Sequence, residues 1–189
     1  MPAAWTVDGE ARDSAYLISQ DDEGRPNYGG TPADSTVIAA LREMNDRGYA
    51  VTLTPFLFVD AEGFPWRGRI SVSEDGTAAA RSEVDAFMAG PTGYRRFILH
   101  HAALAAEAGG VEAFLIGSEM RALTRVRDAA GAFPFVEALC GLAEEVRALL
   151  PHAKISYAAD WTEYGAYVPA DASGDVLFPL DDLWAHPDI

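Results

Sequence analysis

The sequence predicts an α/β fold built on a parallel sheet, and three observations carry that prediction. Short apolar runs alternate with longer segments of helical periodicity, in the order strand, helix, strand, helix, strand, helix, strand. The run Ala113 to Gly117 holds no charge and is flanked by Gly109-Gly110 before and Gly117 after, as expected of a strand covered on both faces. Two consecutive strands then end in carboxylates, Glu119 after one and Asp160 with Glu163 after the next. Alternation of this kind implies right-handed crossovers, which put the loops after the strands on a single edge of the sheet.

Taken in order, the polar amino-terminal segment leads to a short strand at Tyr16 to Ser19, and Gln20 to Tyr28 has turn chemistry in Asp21, Asp22, Gly24, Pro26 and Asn27. A helix start comes next at Thr31-Pro32-Ala33-Asp34: Thr31 as N-cap, Pro32 at the first helical position, and Asp34 completing a capping-box-like pattern. Val37, Ile38, Leu41 and Met44 recur at helical spacing, and Gly48 supplies the left-handed stop. Ala50 to Phe58 reads as a strand with Pro55 near its carboxyl end, where a lost ladder bond is best tolerated.

Residues 59–93 read as a long loop over the carboxyl edge, with room for one turn of helix around Arg81 to Met88. The loop brings Trp66, Arg67 and Arg69 to that edge. They form either a wall of a ligand site or, alternatively, a pin onto the core (Trp66) and two solvated charges. Tyr94 to Ala108 is the next helix, with His101 on its apolar stripe and His100 beside it. Adjacent histidines point about 100° apart on a helix, so they do not chelate as an i, i+4 pair, and His101 is expected as a satisfied core histidine. Arg121 to Ala132 is a basic connection, Pro134 to Leu150 an amphipathic helix closed by Pro151, and Lys154 to Ala159 a strand.

Composition narrows the function classes. With 189 residues, 49% hydrophobic and 23% charged, the chain has the make-up of one ordinary globular domain spanning 1–189. A formal net charge of -15 leaves no basic stripe for a phosphate backbone, so no nucleic acid is expected as a partner. The single cysteine, Cys140, falls on the apolar side of a helical pattern and is expected as a core thiol. No signal segment opens the chain and no apolar run approaches the roughly 20 residues that cross a bilayer, so neither a leader nor membrane insertion is expected. There is no His-Glu-x-x-His, paired cysteine, P-loop or Gly-x-Gly-x-x-Gly after a strand, so no cofactor and no metal are expected. The runs Asp21-Asp22-Glu23 and Asp181-Asp182 lack calcium-loop spacing and read as solvated surface.

The chemistry gathers at the strand ends. Glu119 is either a catalytic acid presented by a buried strand or a helix N-terminal acid favoured by the macrodipole. Asp160 and Glu163 come with Trp161 and Tyr164. Carboxylates beside an indole suit a carbohydrate: one acid protonates the departing oxygen, a second serves as nucleophile or base, and the aromatic face stacks on a sugar ring. The same residues could equally cap loops.

FLIGSEMRALTRVR, GAFPFVEAL, YAADWTEY, GGTPADSTVIAALR and PWRGRI together resemble the TIM-barrel, glycoside-hydrolase-like domain of the tail hub protein of gene transfer agents and related phage tails. The resemblance runs from about Ala15 to Ile189. It implies a (β/α)8 barrel related to retaining glycosidases, whose acid/base Glu follows the fourth strand and whose nucleophile Glu follows the seventh. Glu119 inherits the acid/base role, and Trp66, Arg67, Ser118, Asp160, Trp161 and Tyr164 become candidate substrate contacts. It further implies a bacterial surface glycan or peptidoglycan as substrate and other tail proteins as partners. The expected location is a released phage-like particle, after cytoplasmic synthesis.

Two departures from the pattern bear on these expectations. Ser118 stands where such glycosidases commonly carry Asn against the sugar 2-hydroxyl. A complete barrel takes about 250 residues, so the 189 present are expected to form an incomplete one, lacking the first strand, the last three, and with them the nucleophile. Asp160 or Glu163 could supply a second carboxylate, although neither stands where the resemblance places the nucleophile. Two functions are implied: a glycosidase that uses Glu119, or a non-catalytic structural or glycan-binding module of the tail hub.

Overall fold

A computed structural model describes residues 32–59, 62–72, 74–89, 92–171 and 173–189, together with the backbone of 5–7 and 10–12. Its centre is a three-stranded parallel sheet of β3 (Thr52–Leu53), β5 (Ala113–Ser118) and β6 (Lys154–Ala158), in the order β3-β5-β6. Thr52 pairs with Ala113, and Ala113, Phe114 and Leu115 pair with Lys154, Ile155 and Ser156. A mixed α/β chain with such a sheet fits an incomplete barrel. A second, antiparallel sheet joins β1 (Trp5–Val7), β2 (Glu10–Arg12) and β4 (Ile70–Ser71). Sequence periodicity does not anticipate it, because strands of two and three residues carry too few alternations to register. The strand expected at Tyr16 to Ser19 lies outside the described residues.

Helices pack on the parallel sheet through their apolar stripes. The first, α1 (Asp34–Asp46), buries Leu41 and rests Val37, Ile38 and Met44 on the core. It starts later than the capping pattern predicts. Ala33 is the N-cap, with no side-chain bond, and its carbonyl accepts from the N–H groups of Thr36 and Val37. Thr31 lies outside the described residues. Asp34 is engaged 3.0 Å from His100 of α3 (Tyr94–Glu107), so a tertiary contact occupies the side chain that a capping box needs. At the other end Gly48 is left-handed at φ 76, as expected.

Residues 59–93 are more ordered than a loop. They hold a 3₁₀ turn at Arg67–Arg69, β4, and the three-turn helix α2 (Ala78–Met88), whose N-cap Thr77 accepts from the Ala80 N–H at 3.2 Å. Ala80, Val84, Phe87 and Met88 are its buried face, too short a helical period to stand out from the polar sequence on either side. β3 is correspondingly shorter than the predicted Ala50 to Phe58: Pro55 has no N–H for a ladder, and Phe58 instead makes an isolated antiparallel bridge with Trp66.

α3, α5 (Pro134–Leu149) and β6 match their predicted spans closely, and short helices α4 (Arg121–Thr124) and α6 (Asp181–Trp184) fill the connections. Phe87, Tyr94 and Phe135 meet in the core, with Phe87 stacked on Tyr94 at 5.4 Å and Phe135 6.0 Å from Phe87. Each such ring contributes about 2 to 3 kcal/mol of apolar burial. The Tyr94 hydroxyl donates to the Ile116 carbonyl at 3.0 Å, tying the start of α3 to the end of β5. His101 is part-buried with Nδ1 2.9 Å from the Phe97 carbonyl, and burial lowers its pKa. Cys140 is only half-buried, against the expectation of a core thiol, because it lies on the margin of α5 facing α6.

Gly117 marks the tightest packing on β5. A Cβ there would lie 2.9 Å from Tyr94 Oη and 3.0 Å from the Tyr157 ring. Both tyrosines are buried and hydrogen-bonded, so neither can swing aside. Gly117→Ala is therefore expected to destabilise the chain by about 2 kcal/mol in urea unfolding, with an unchanged m-value.

Candidate functional site at the carboxyl edge

The carboxyl end of β5 is irregular, and that irregularity aims Glu119. Leu115 pairs with Ser156 but Ser118 pairs with Ala158, so β5 uses three steps where β6 uses two. Such a bulge bends the strand and redirects the next side chain. The Glu119 N–H still donates to the Ala158 carbonyl at 2.9 Å, and the residue then turns into the left-handed region at φ 52. Among the described residues no other non-glycine has positive φ. A left-handed glutamate costs about 1 kcal/mol relative to glycine, and such strain clusters at functional positions. Glu119→Gly should accordingly be about 1 kcal/mol more stable than Glu119→Ala in thermal unfolding; equal stabilities would show that the backbone stores no strain here.

Trp66 and Arg67 hold the Glu119 carboxylate. The Trp66 indole N–H donates to Oε2 at 2.8 Å, and Arg67 Nη2 lies 3.0 Å from the same oxygen. Among the described residues Oε1 takes no hydrogen bond, and the side chain is 39% exposed, so this oxygen can meet a ligand. Glu119 does not cap α4: that helix has Met120 at its N-cap and no side-chain cap bond. Trp66 can reach the carboxylate because its ring folds over Gly68, where a Cβ would lie 2.3 Å from Cζ2. Arg67 is only 13% exposed, so it is not a solvated charge. Its Nε donates to both the carbonyl and Oγ of Ser118 at 2.7 Å, and its guanidinium covers the Phe56 ring at 4.8 Å. Ser118 itself is buried and its hydroxyl is occupied by that contact.

β6 brings the second group. Asp160 keeps its carboxylate on the Thr162 hydroxyl and N–H, and these bonds hold its pKa below the usual range, helped by the Arg121 and Arg125 charges. Trp161 is 83% exposed and Tyr164 62% exposed, the latter stacked parallel on Trp184 at 6.1 Å. Phe56 and Phe58 add an exposed edge-to-face pair after β3. These phenylalanines and Trp184 are not singled out by sequence reasoning; alternation along Ala50 to Phe58, with aromatics at its carboxyl end, is the signal that marks the first two.

Glu163, unlike the others, is buried. It accepts from the Thr124 hydroxyl at 2.7 Å, the Tyr157 hydroxyl at 3.1 Å and the Asp160 N–H at 2.7 Å. Burial raises its pKa, and those three donors work against the rise. Tyr157 in turn accepts from the Met120 N–H at 2.7 Å, so the buried carboxylate is linked through one phenol to the backbone just after Glu119. Glu163 braces the site and is closed off from a ligand.

Among the described residues no three His, Cys, Asp or Glu side chains converge as a metal site, and no helix is long and apolar enough to cross a membrane. An open cleft of about 710 Å³ lies at the opposite, amino-terminal edge, lined by Tyr49, Gly110, Glu112 and His152 among others. In parallel barrels that end serves stability, and chemistry sits at the carboxyl face. Two family models match the chain. One, described as a GTA TIM-barrel-like domain, matches residues 92–189, and the other, Glycoside Hydrolase Family 113, matches residues 20–130. Each spans more than half of the chain, and they overlap across α3, β5 and Glu119. No curated protein matches it.

Proposed function

The chain belongs to the TIM-barrel, glycoside-hydrolase-like domains, and on that footing we propose that Glu119 is the general acid/base of a glycosidase acting on a bacterial surface glycan or peptidoglycan. One observation carries this reading: a strained glutamate at the bulged end of the central strand, oriented by Trp66 and Arg67 and with one oxygen open to solvent. A glycoside bond over Oε1 would receive a proton at its departing oxygen and leave an oxocarbenium-like centre for a second carboxylate, roughly 5 to 10 Å away. Asp160 and Glu163 are both engaged in hydrogen bonds, and the family resemblance puts the nucleophile on a later strand. Trp161, which is 83% exposed, offers an aromatic face for a sugar ring. The particle we infer is a phage-like gene transfer agent, in whose tail this domain and other tail proteins would meet the cell surface.

A second reading has its own support. Glu119 Oε2 already accepts from Trp66 and is paired with the Arg67 charge, an arrangement that also suits a ligand contact without turnover. The domain would then recognise a glycan as a structural module of the tail hub. Release of reducing ends from purified peptidoglycan and β-linked oligosaccharides separates the two. It is to be measured for this chain, for a version extended through further strands, and for the extended version with Glu119→Gln. Cleavage by the extended wild type, lost in the variant, is the expected result; saccharide binding without cleavage in every version establishes the second reading.

A further inference from the structure

Acidic side chains outnumber basic ones 29 to 14, so a cation in this chain is readily neutralised. Arg42, Arg47, Arg67, Arg81, Arg95 and Arg127 each stand within ion-pair distance of a carboxylate, as does Arg147. Among the described residues Arg96, Arg121 and Arg125 make no ion pair; Arg96 is exposed, whereas Arg121 and Arg125 are part-buried, and Arg121 reaches the ring of Trp66 beside Glu119. Arg125 is committed to the Thr162 carbonyl at 2.7 Å and covers the Tyr167 ring at 5.0 Å. Arg121 is different: among the described residues its guanidinium makes no hydrogen bond and only stands over Trp66 at 5.9 Å. That same indole donates to Glu119, so the open fork of Arg121 and the open oxygen of Glu119 flank one aromatic ring. Asp160 feels both arginine charges through space, but it bonds Thr162 and pairs directly with neither.

A guanidinium with a planar set of unsatisfied donors is built to take a carboxylate in bidentate fashion. Resting it on an indole preorganises it and lowers the entropy lost on binding. A neutral sugar would leave this part-buried guanidinium with only the through-space attraction of Asp160, whereas an acidic one engages its fork directly. We infer that Arg121 determines specificity at this site by pairing with a carboxylate of the glycan, so that the substrate or ligand is an acidic saccharide. This inference rests on the glycan reading of Glu119. The carboxylate belongs either to a uronic acid or to the lactyl ether of a muramic acid whose peptide has been removed.

The test is titration calorimetry of the whole chain against three probes of matched length: a neutral β-1,4-linked tetrasaccharide, a β-1,4-linked uronate tetrasaccharide, and a peptide-free strand of alternating N-acetylglucosamine and N-acetylmuramic acid. Wild type, Arg121→Gln and Arg121→Lys are compared, and the quantity read is the ratio of acidic to neutral affinity. At least one acidic probe should bind about ten-fold more tightly than the neutral one, and which of the two does so identifies the source of the carboxylate. Arg121→Gln should bring the ratio to about one, and Arg121→Lys, which keeps the charge without the fork, should recover part of it. Equal affinity of wild type for all three probes overturns the inference while the glycan reading stands, as does a preference that survives Arg121→Gln. Failure of every probe to bind overturns both.

Discussion

Glu119→Gln should lower glycoside cleavage by two to four orders of magnitude in a version of the protein that carries the complete barrel, the usual contribution of a positioned general acid. The substitution is nearly isosteric. Its side-chain oxygen can still accept the Trp66 N–H, and because the largely buried Arg67 keeps its bonds to Ser118, the loss of its pair with the carboxylate costs about 1 to 2 kcal/mol. The fold should therefore survive, with a melting temperature within a few degrees of wild type, and the loss should fall on kcat rather than KM because proton transfer matters in the transition state. Substrates with good leaving groups need little protonation. Aryl glycosides with acidic phenols should accordingly lose much less activity than natural glycans do, and a uniform loss across leaving groups would argue that Glu119 binds rather than protonates. Cleavage by Glu119→Gln at the wild-type rate would end the catalytic assignment.

Glu163→Ala should be the most destabilising single change at this edge, at about 3 kcal/mol in urea unfolding. It strands two donors at once, the Tyr157 hydroxyl and the Asp160 N–H, each of which costs about 1 to 3 kcal/mol when left without an acceptor, and leaves the Thr124 hydroxyl only its longer bond to the Arg121 carbonyl at 3.3 Å. The sum is discounted because burying a carboxyl group is itself unfavourable. Glu163→Gln keeps the volume and one acceptor but turns an NH2 toward existing donors, so it should cost less than half as much. Acidity provides the second check. Burial raises the folded pKa of Glu163 above its ordinary value of 4.5, so the folded state holds the proton to higher pH than the unfolded chain does. The contribution to stability is full below pH 4.5 and is lost as pH rises through the folded value. The gap between wild type and Glu163→Gln should be widest at acid pH and narrow toward neutrality; a gap that widens with pH would show the group to be held ionised.

The brace extends to Glu119. Because Tyr157 bridges Glu163 and the Met120 N–H, loosening it frees the backbone next to the left-handed residue. The strain and the packing at Gly117 are two ends of one arrangement: the same Tyr157 ring limits what Gly117 can be, and its hydroxyl fixes the backbone immediately after Glu119.

Several elements are settled by local sequence. α3 and α5 form where their apolar residues repeat at helical period, β5 and β6 where short uncharged or alternating runs meet glycine or proline, and Glu119 is legible as the acid at a strand end because chain order alone places it there. The parallel α/β class comes from the same alternation. Tertiary structure decided the rest. α2 is a full helix because Ala80, Val84, Phe87 and Met88 find a core to bury against, whereas its flanking Gly-, Ser- and Asp-rich sequence suggests a loop. Asp34 opens α1 without closing a capping box because His100, 66 positions away, engages that side chain. Trp66 and Arg67 are visible in the sequence as edge residues, but their grip on Glu119 spans a separation of 53 residues for the indole, which no local pattern encodes. The left-handed turn at Glu119 comes with a register shift between two strands, and Glu163 is buried because Thr124 of α4 and Tyr157 and Asp160 at the end of β6 close over it with three donors. Periodicity reports which face a residue turns to the core; only through-space partners decide what its polar atoms meet there, and at this edge those partners make the site.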